Sequence, residues 1–162
     1  MANELVVEVA DREIRMSRTF SAPREVVWEA FTVEEHLVQW WGPPEFPVGY
    51  SEHDFREGGS WYFELHGPDG MKSCNLCRFD VIEPPSRLVV QNQFVDEQRQ
   101  SLAPAVGITM TFDEVGASAT AFEMRSRFDS NEARDQQLAM GVAKGFGETF
   151  DRLAEHLAAH AR

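Results

Sequence analysis

Between Val48 and Phe128 the sequence alternates apolar and polar residues in six separate runs, and this pattern limits the fold more than any other feature. Successive side chains of a strand point to opposite faces, so each run becomes a strand with one apolar side. The runs are Val48 to Phe55, Ser60 to His66, Lys72 to Ile82, Arg87 to Phe94, Ala105 to Phe112 and Thr120 to Phe128. Turn-forming residues divide them: Glu57-Gly58-Gly59, Gly67-Pro68-Asp69-Gly70, Pro84-Pro85 and Glu114-Val115-Gly116-Ala117. Asp96 to Pro104 is a longer polar loop. The spacing predicts an antiparallel meander. Trp61, Phe63 and Leu65 share one face with Cys77, Phe79 and Val81, with Leu88, Val90, Asn92 and Phe94, with Val106, Ile108, Met110 and Phe112, and with Phe122, Met124, Ser126 and Phe128. Glu64, Arg78, Asp80, Glu123, Arg125 and Arg127 fall on the other face.

An apolar sheet face must be covered by another layer. Asp11 to Phe20 reads as one further strand, with Ile14, Met16 and Phe20 in phase and Arg18 as the polar exception. Ser21-Ala22-Pro23-Arg24-Glu25 then opens a helix whose apolar face is Val27, Trp28 and Phe31. Thr32-Val33-Glu34-Glu35 has the form of a capping box. It starts a second short helix that runs through Leu37 to Trp41 and stops at Gly42-Pro43-Pro44. At the other end, Ser130 or Asn131 caps a long helix with Leu138, Val142, Phe146, Phe150, Leu153 and Leu157 on one face. Gly141 and Gly145 interrupt that helix, and a bend or the close approach of another element would explain them. The expected order is one strand, two short helices, six strands and one long helix. The class is α+β, with residues 1–162 forming one domain.

A curved sheet wrapped round one helix need not close completely, and the gap is an apolar chamber. The candidate lining is Trp61, Phe63, Phe79, Phe94, Met110, Phe112, Phe122 and Met124 on strands, with Val142, Phe146 and Phe150 on the helix. Asn75, Asn92 and Ser126 are inward by phase and supply polar contacts; His53 and Phe55 share a face that would join them, unless a bulge at Gly49 turns His53 outward. Trp40 and Trp41 end the second short helix just before Gly42-Pro43-Pro44, one expected inside and the other partly exposed. Alternation does not separate a lined chamber from a filled core.

Composition narrows the chemistry. Asp and Glu number 27 against 15 Lys and Arg, a net charge of −12, which argues against phosphate backbones as partners. Phe outnumbers Tyr by 12 to 2, so the lining offers few hydroxyls. Met1 to Glu8 has neither a basic start nor a long apolar core, and no apolar run nears the roughly 20 residues of a membrane span. A cytoplasmic protein without a membrane span is expected. Cys74 and Cys77 lie in a strand, where a spacing of three puts the sulfurs on opposite faces, so neither a redox pair nor a zinc half-site is expected. His156 and His160 are one helical turn apart near a helix end, where the dipole already favours them, and no metal is assigned. No phosphate-binding loop, nucleophile elbow or dinucleotide fingerprint occurs, so no cofactor and no catalytic residue is expected.

Several of these segments carry a family resemblance. Arg18-Thr-Phe-Ser-Ala-Pro-Arg-Glu-Val-Val-Trp28, followed by Glu34-Glu-His-Leu-Val-Gln-Trp-Trp41-Gly-Pro, resembles the opening of the activator of heat-shock protein 90 ATPase homologue family, within the START-like (SRPBCC) ligand-binding superfamily. Asp54-Phe-Arg-Glu-Gly-Gly59, Gly67 to Gly70, Phe79 to Leu88, Gly141 to Phe146 and Asp151 to Leu157 continue it, from about residue 13 to residue 158. The resemblance implies a helix-grip fold with a cavity between the long helix and the sheet. It implies no single activity. Nothing here resembles the separate chaperone-binding domain of the eukaryotic co-chaperone. Near Phe146, relatives often carry an acidic residue and Trp, so the cavity shape there is expected to differ. The function expected is a binding or carrier protein for a small apolar or amphipathic molecule, with a homodimer left open. The alternatives are an enzyme of cyclase, dehydratase or hydrolase type in the same cavity, or a protein-interaction module with an apolar patch around Trp40 and the Gln98 to Pro104 loop.

Overall fold

The structure is a computed structural model and describes residues 4–160. Eight strands form one antiparallel sheet in the order β1-β2-β8-β7-β6-β5-β4-β3. They are β1 (Val6–Ala10), β2 (Glu13–Phe20), β3 (Val48–His53), β4 (Ser60–His66), β5 (Lys72–Glu83), β6 (Arg87–Val95), β7 (Val106–Val115) and β8 (Ala119–Arg127). From β3 to β8 each strand pairs with the next, and β2 returns to pair with β8. The helices α1 (Arg24–Thr32) and α2 (Glu34–Trp40) bridge β2 and β3, which lie towards opposite edges of the sheet. After β8 come α3 (Asn131–Ala139) and α4 (Val142–Ala159). Among the described residues no helix is long and apolar enough to cross a membrane.

The meander forms as the alternation predicts, and its apolar face makes the core. Met16, Phe20, Trp61, Phe63, Phe79, Leu88, Val90, Met110, Phe112, Phe122 and Met124 are buried there with Phe150, Leu153 and Leu157 of α4. The α4 side chains pack as a tilted aromatic cluster. Phe150 lies 5.3 Å from Phe122 and 6.3 Å from Phe20 between ring centroids, and Phe31 of α1 stacks on Phe122 at 4.9 Å. Arg18, the polar exception of β2, serves the same joint, donating to Asp151 of α4 at 2.7 Å.

Four local expectations are corrected. First, β1 is absent from the alternation pattern because it is an edge strand with both sides largely exposed. Secondly, Thr32 forms no capping box: its hydroxyl donates to the Trp28 carbonyl at 2.8 Å, and Val33 is the N-cap of α2, with no side-chain cap bond. Thirdly, the register of β5 shifts between Phe79 and Val81, so Ile82 rather than Val81 packs on the core. Such a bulge moves every later side chain to the other face. Fourthly, the long helix is two helices. Ser130 caps α3, accepting from the Ala133 amide at 3.1 Å, and the chain breaks at Gly141, whose φ of 86° lies in the left-handed region that side chains with a Cβ avoid. Gly145 is not explained by a close approach: a Cβ there would sit 4.0 Å from the Pro43 ring, an ordinary contact distance.

Candidate functional site

The same helix that fills one half of the sheet leaves the other half open. Phe150, Leu153 and Leu157 seal the C-terminal part of α4 against α1, α2, β2 and β8. Towards its N-terminus, α4 presents smaller or less buried residues: Val142, Gly145, Phe146 and Thr149. Beneath them lies a cavity of about 210 Å³. Its floor is Ile14 and Met16 of β2, Phe63 and Leu65 of β4, Asn75 of β5, Asn92 and Phe94 of β6, Val106 and Ile108 of β7, and Ser126 of β8. Trp41, Gly42 and Pro43 form one wall, and Ala103, Pro104 and Gln137 form part of the rim. A smaller space of about 60 Å³ continues inward between Trp61, Phe79, Met110 and Met124. Trp41, Phe63, Asn92, Ile108 and Phe146 border both.

The wall is held from α4. Helix α2 ends with carbonyls that have no partner inside the helix. Arg152 supplies it, donating to the Gly42 carbonyl at 2.7 Å and to the Gln39 carbonyl at 2.8 Å. This fixes the turn that carries Trp41. The Trp41 ring then meets Trp61, Phe63 and Phe146 edge-on, at 5.7, 6.1 and 5.9 Å between centroids. Sequence reasoning did not find Arg152, since helical periodicity places it on no apolar face.

The polar side chains in the lining are Ser73, Asn75, Asn92, Ser126, Gln137 and Thr149, all uncharged, and Thr149 donates to the Gly145 carbonyl of its own helix at 2.8 Å. Asn75 is buried and donates to the Ser73 hydroxyl at 3.2 Å, which leaves its side-chain carbonyl free to accept. The side chains of Asn92 and Ser126 make no hydrogen bond among the described residues. Ser126 stands between Ile14 and Ile108 on the paired strands, a single hydroxyl in an apolar row. Among the described residues no acid, base, thiol or phenol lines the larger cavity.

The expected lining residues therefore separate into three groups. Trp41, Phe63, Asn75, Asn92, Phe94, Ser126, Val142 and Phe146 border the larger cavity, and Trp61, Phe79, Met110 and Met124 border the smaller one. Trp40, Phe112, Phe122 and Phe150 border neither and are solid core; Trp40 is fully enclosed and its indole N–H donates to the Ala30 carbonyl at 2.9 Å. That burial also removes Trp40 from any surface patch. His53 and Phe55 form a third group at the edge of the core. The β3 bulge falls at Gly49, yet His53 stays inward, stacked on Phe55 at 5.7 Å and edge-on to Trp61 and Phe79. Its Nε2 is buried without a hydrogen-bond partner. Burial lowers the imidazole below its ordinary basicity, with Glu34, Asp54 and Glu35 partly opposing. The two cysteines are free and diverge as expected. Cys77 joins the main core, and Cys74 packs with Tyr62 and Val95 on the outer face.

Known structures share this architecture. A protein from Mycobacterium smegmatis is 25% identical, with a TM-score of 0.87 over 98% of this chain and 99% of that one. One from Arthrobacter aurescens is 25% identical with a TM-score of 0.89, covering 97% of this chain and 93% of that chain. One from Rhodobacter sphaeroides is 25% identical with a TM-score of 0.85, covering 97% and 99%. No curated protein matches the sequence. Residues 21–158 match the family described as Activator of Hsp90 ATPase homolog 1-like protein, and the chain belongs to that family.

Proposed function

We propose that the protein binds a small, mostly apolar molecule in the cavity beneath the N-terminal half of α4, and that it holds the molecule without transforming it. The observation that carries this reading is the composition of the lining: mostly apolar walls, with Ser73, Asn75, Asn92, Ser126, Gln137 and Thr149 as uncharged polar points and no ionisable group among the described residues. An apolar cavity of about 150 Å³ suffices for benzene. A cavity of about 210 Å³ suits a ring system or a short branched chain bearing one or two polar substituents. The amides and the hydroxyl fix its orientation, while the apolar walls supply most of the affinity. General acid–base chemistry needs a titratable group within hydrogen-bond reach of the substrate. His53, the inward histidine of the sheet, packs against Trp61 and Phe79 and borders neither space, and the Cys77 thiol that borders the smaller one is held protonated by burial. A carrier or sensor is favoured over a cyclase, dehydratase or hydrolase for that reason.

Native mass spectrometry of protein isolated from its own host tests the proposal. The expected spectrum carries one additional small-molecule mass per chain, lost on mild organic extraction. A bare mass, together with no uptake of aromatic or short-chain amphipathic probes, would overturn it.

A further inference from the structure

A second cluster forms at the far end of α4, about 11 residues and so about 16 Å along the helix from Gly145. His156 lies on α4 and His160 follows one turn on, at the C-cap of that helix, and His36 of α2 reaches the same point. One ring nitrogen from each lies within 4.8 Å of the other two. Nδ1 of His36 and Nε2 of His156 are 3.1 Å apart, and the His156 and His160 rings are 4.1 Å apart between centroids. His160 has its tautomer fixed by chemistry alone. Its Nδ1 lies 2.8 Å from the His156 carbonyl oxygen, which can only accept, so Nδ1 carries the hydrogen and the neutral ring has its lone pair on Nε2. That arrangement, one ring nitrogen bonded to a backbone carbonyl and the other left basic, is the usual support of a metal-ligating histidine.

We propose that His36, His156 and His160 form a three-imidazole site for a divalent transition-metal ion, with zinc as the best fit and a fourth position open to solvent. Nitrogen ligands at about 2.0–2.1 Å from a tetrahedral zinc are about 3.3 Å apart, close to the His36–His156 spacing. His160 is exposed and has room to close the remaining distance. Three neutral imidazoles without a carboxylate select zinc, cobalt, nickel or copper over calcium and magnesium. The carbonyl-rich C-terminus of α4 adds a favourable negative potential. The ion would clamp α2, which carries the cavity wall, to the last turn of α4.

The test is a titration of tag-free, chelator-treated protein with Co²⁺, read by its visible d–d absorption and by displacement with Zn²⁺. The expected result is saturation at one equivalent with the absorption of a site low in coordination number. His36→Gln and His160→Gln should each weaken binding at least about tenfold, the scale set by disturbing a ligand's support. His66→Gln on β4 should leave it unchanged. Far-UV circular dichroism of each variant shows that the fold is retained, and His160→Gln, being at an exposed position, keeps the test valid if His36→Gln does not fold. Absence of a saturable d–d spectrum would overturn the site. So would His36→Gln binding as tightly as the parent, which would leave an ordinary pair of helical histidines.

Discussion

Replacing Ser126 by leucine should make the protein more stable while removing its ability to hold a ligand. Ser126 is buried to 9% exposure, projects into the cavity, and stands between Ile14 and Ile108. In measured series the loss from unfilled space is about 24 cal/mol per Å³. For a cavity of about 210 Å³ this amounts to a ceiling of about 5 kcal/mol. The true figure is smaller because the mouth admits water. A leucine side chain fills roughly a third of that space, which predicts a gain of about 1–2 kcal/mol. Burial of the added carbons at about 0.8 kcal/mol each gives the same size of effect. For a chain of this length the melting temperature should rise by about 3–6 °C. Urea denaturation, with the slope m unchanged, measures the free energy, and calorimetry measures the temperature. A filled core gives the opposite sign. Forcing extra carbons into packed space costs about 1–3 kcal/mol. A Ser126→Leu protein less stable than its parent by about 1 kcal/mol or more would refute the reasoning.

Three further outcomes follow from the same physics. His53 is held neutral by burial, so its folded pKa lies below the ordinary 6.5. Its neutral form stabilises the fold fully above about pH 6.5, and that contribution is lost as the pH falls through the lowered folded value. Acid unfolding should therefore begin at higher pH in the parent than in His53→Phe, and identical acid profiles would exclude this role. The two glycines of the helical region should respond with opposite signs. Gly141→Ala forces a Cβ into a left-handed conformation and should cost about 1–2 kcal/mol, whereas Gly145→Ala should gain up to about 1 kcal/mol, since its Cβ meets the Pro43 ring at an ordinary contact distance. Thermal denaturation distinguishes the two, and equal signs would contradict the account. The Cys77 thiol is pushed up to about 12 by burial, so it should resist thiol reagents in the folded protein and react on unfolding. Rapid labelling of Cys77 in the native state would show that this part of the core opens.

How far the sequence could be read depended on whether a property was local. Strand alternation is local, and it placed Asn75, Asn92 and Ser126 on the inner face without any knowledge of the fold. It failed for β1, where no face is buried and so no alternation is selected. It also failed past Phe79, because a bulge shifts phase without leaving a marker such as glycine or proline. Helical spacing made Val142, Phe146 and Phe150 equivalent. Only packing separates them, since Phe150 meets Phe20 and Phe122 while Val142 and Phe146 overhang the cavity. Trp40 and Trp41 are adjacent in sequence and opposite in role, and the turn that decides this is held by Arg152, 110 residues away from Gly42. His36 joins His156 across 120 residues, a distance over which no motif speaks.

The most direct test of the central claim is a two-dimensional ¹H–¹⁵N NMR titration with 1-naphthol, a ring system carrying one hydroxyl. The account predicts saturable shifts confined to the side-chain amides of Asn75 and Asn92 and the backbone amides of Ile108, Ser126 and Gly145, all abolished in Ser126→Leu. Shifts scattered over the outer face, or unchanged in Ser126→Leu, would contradict it.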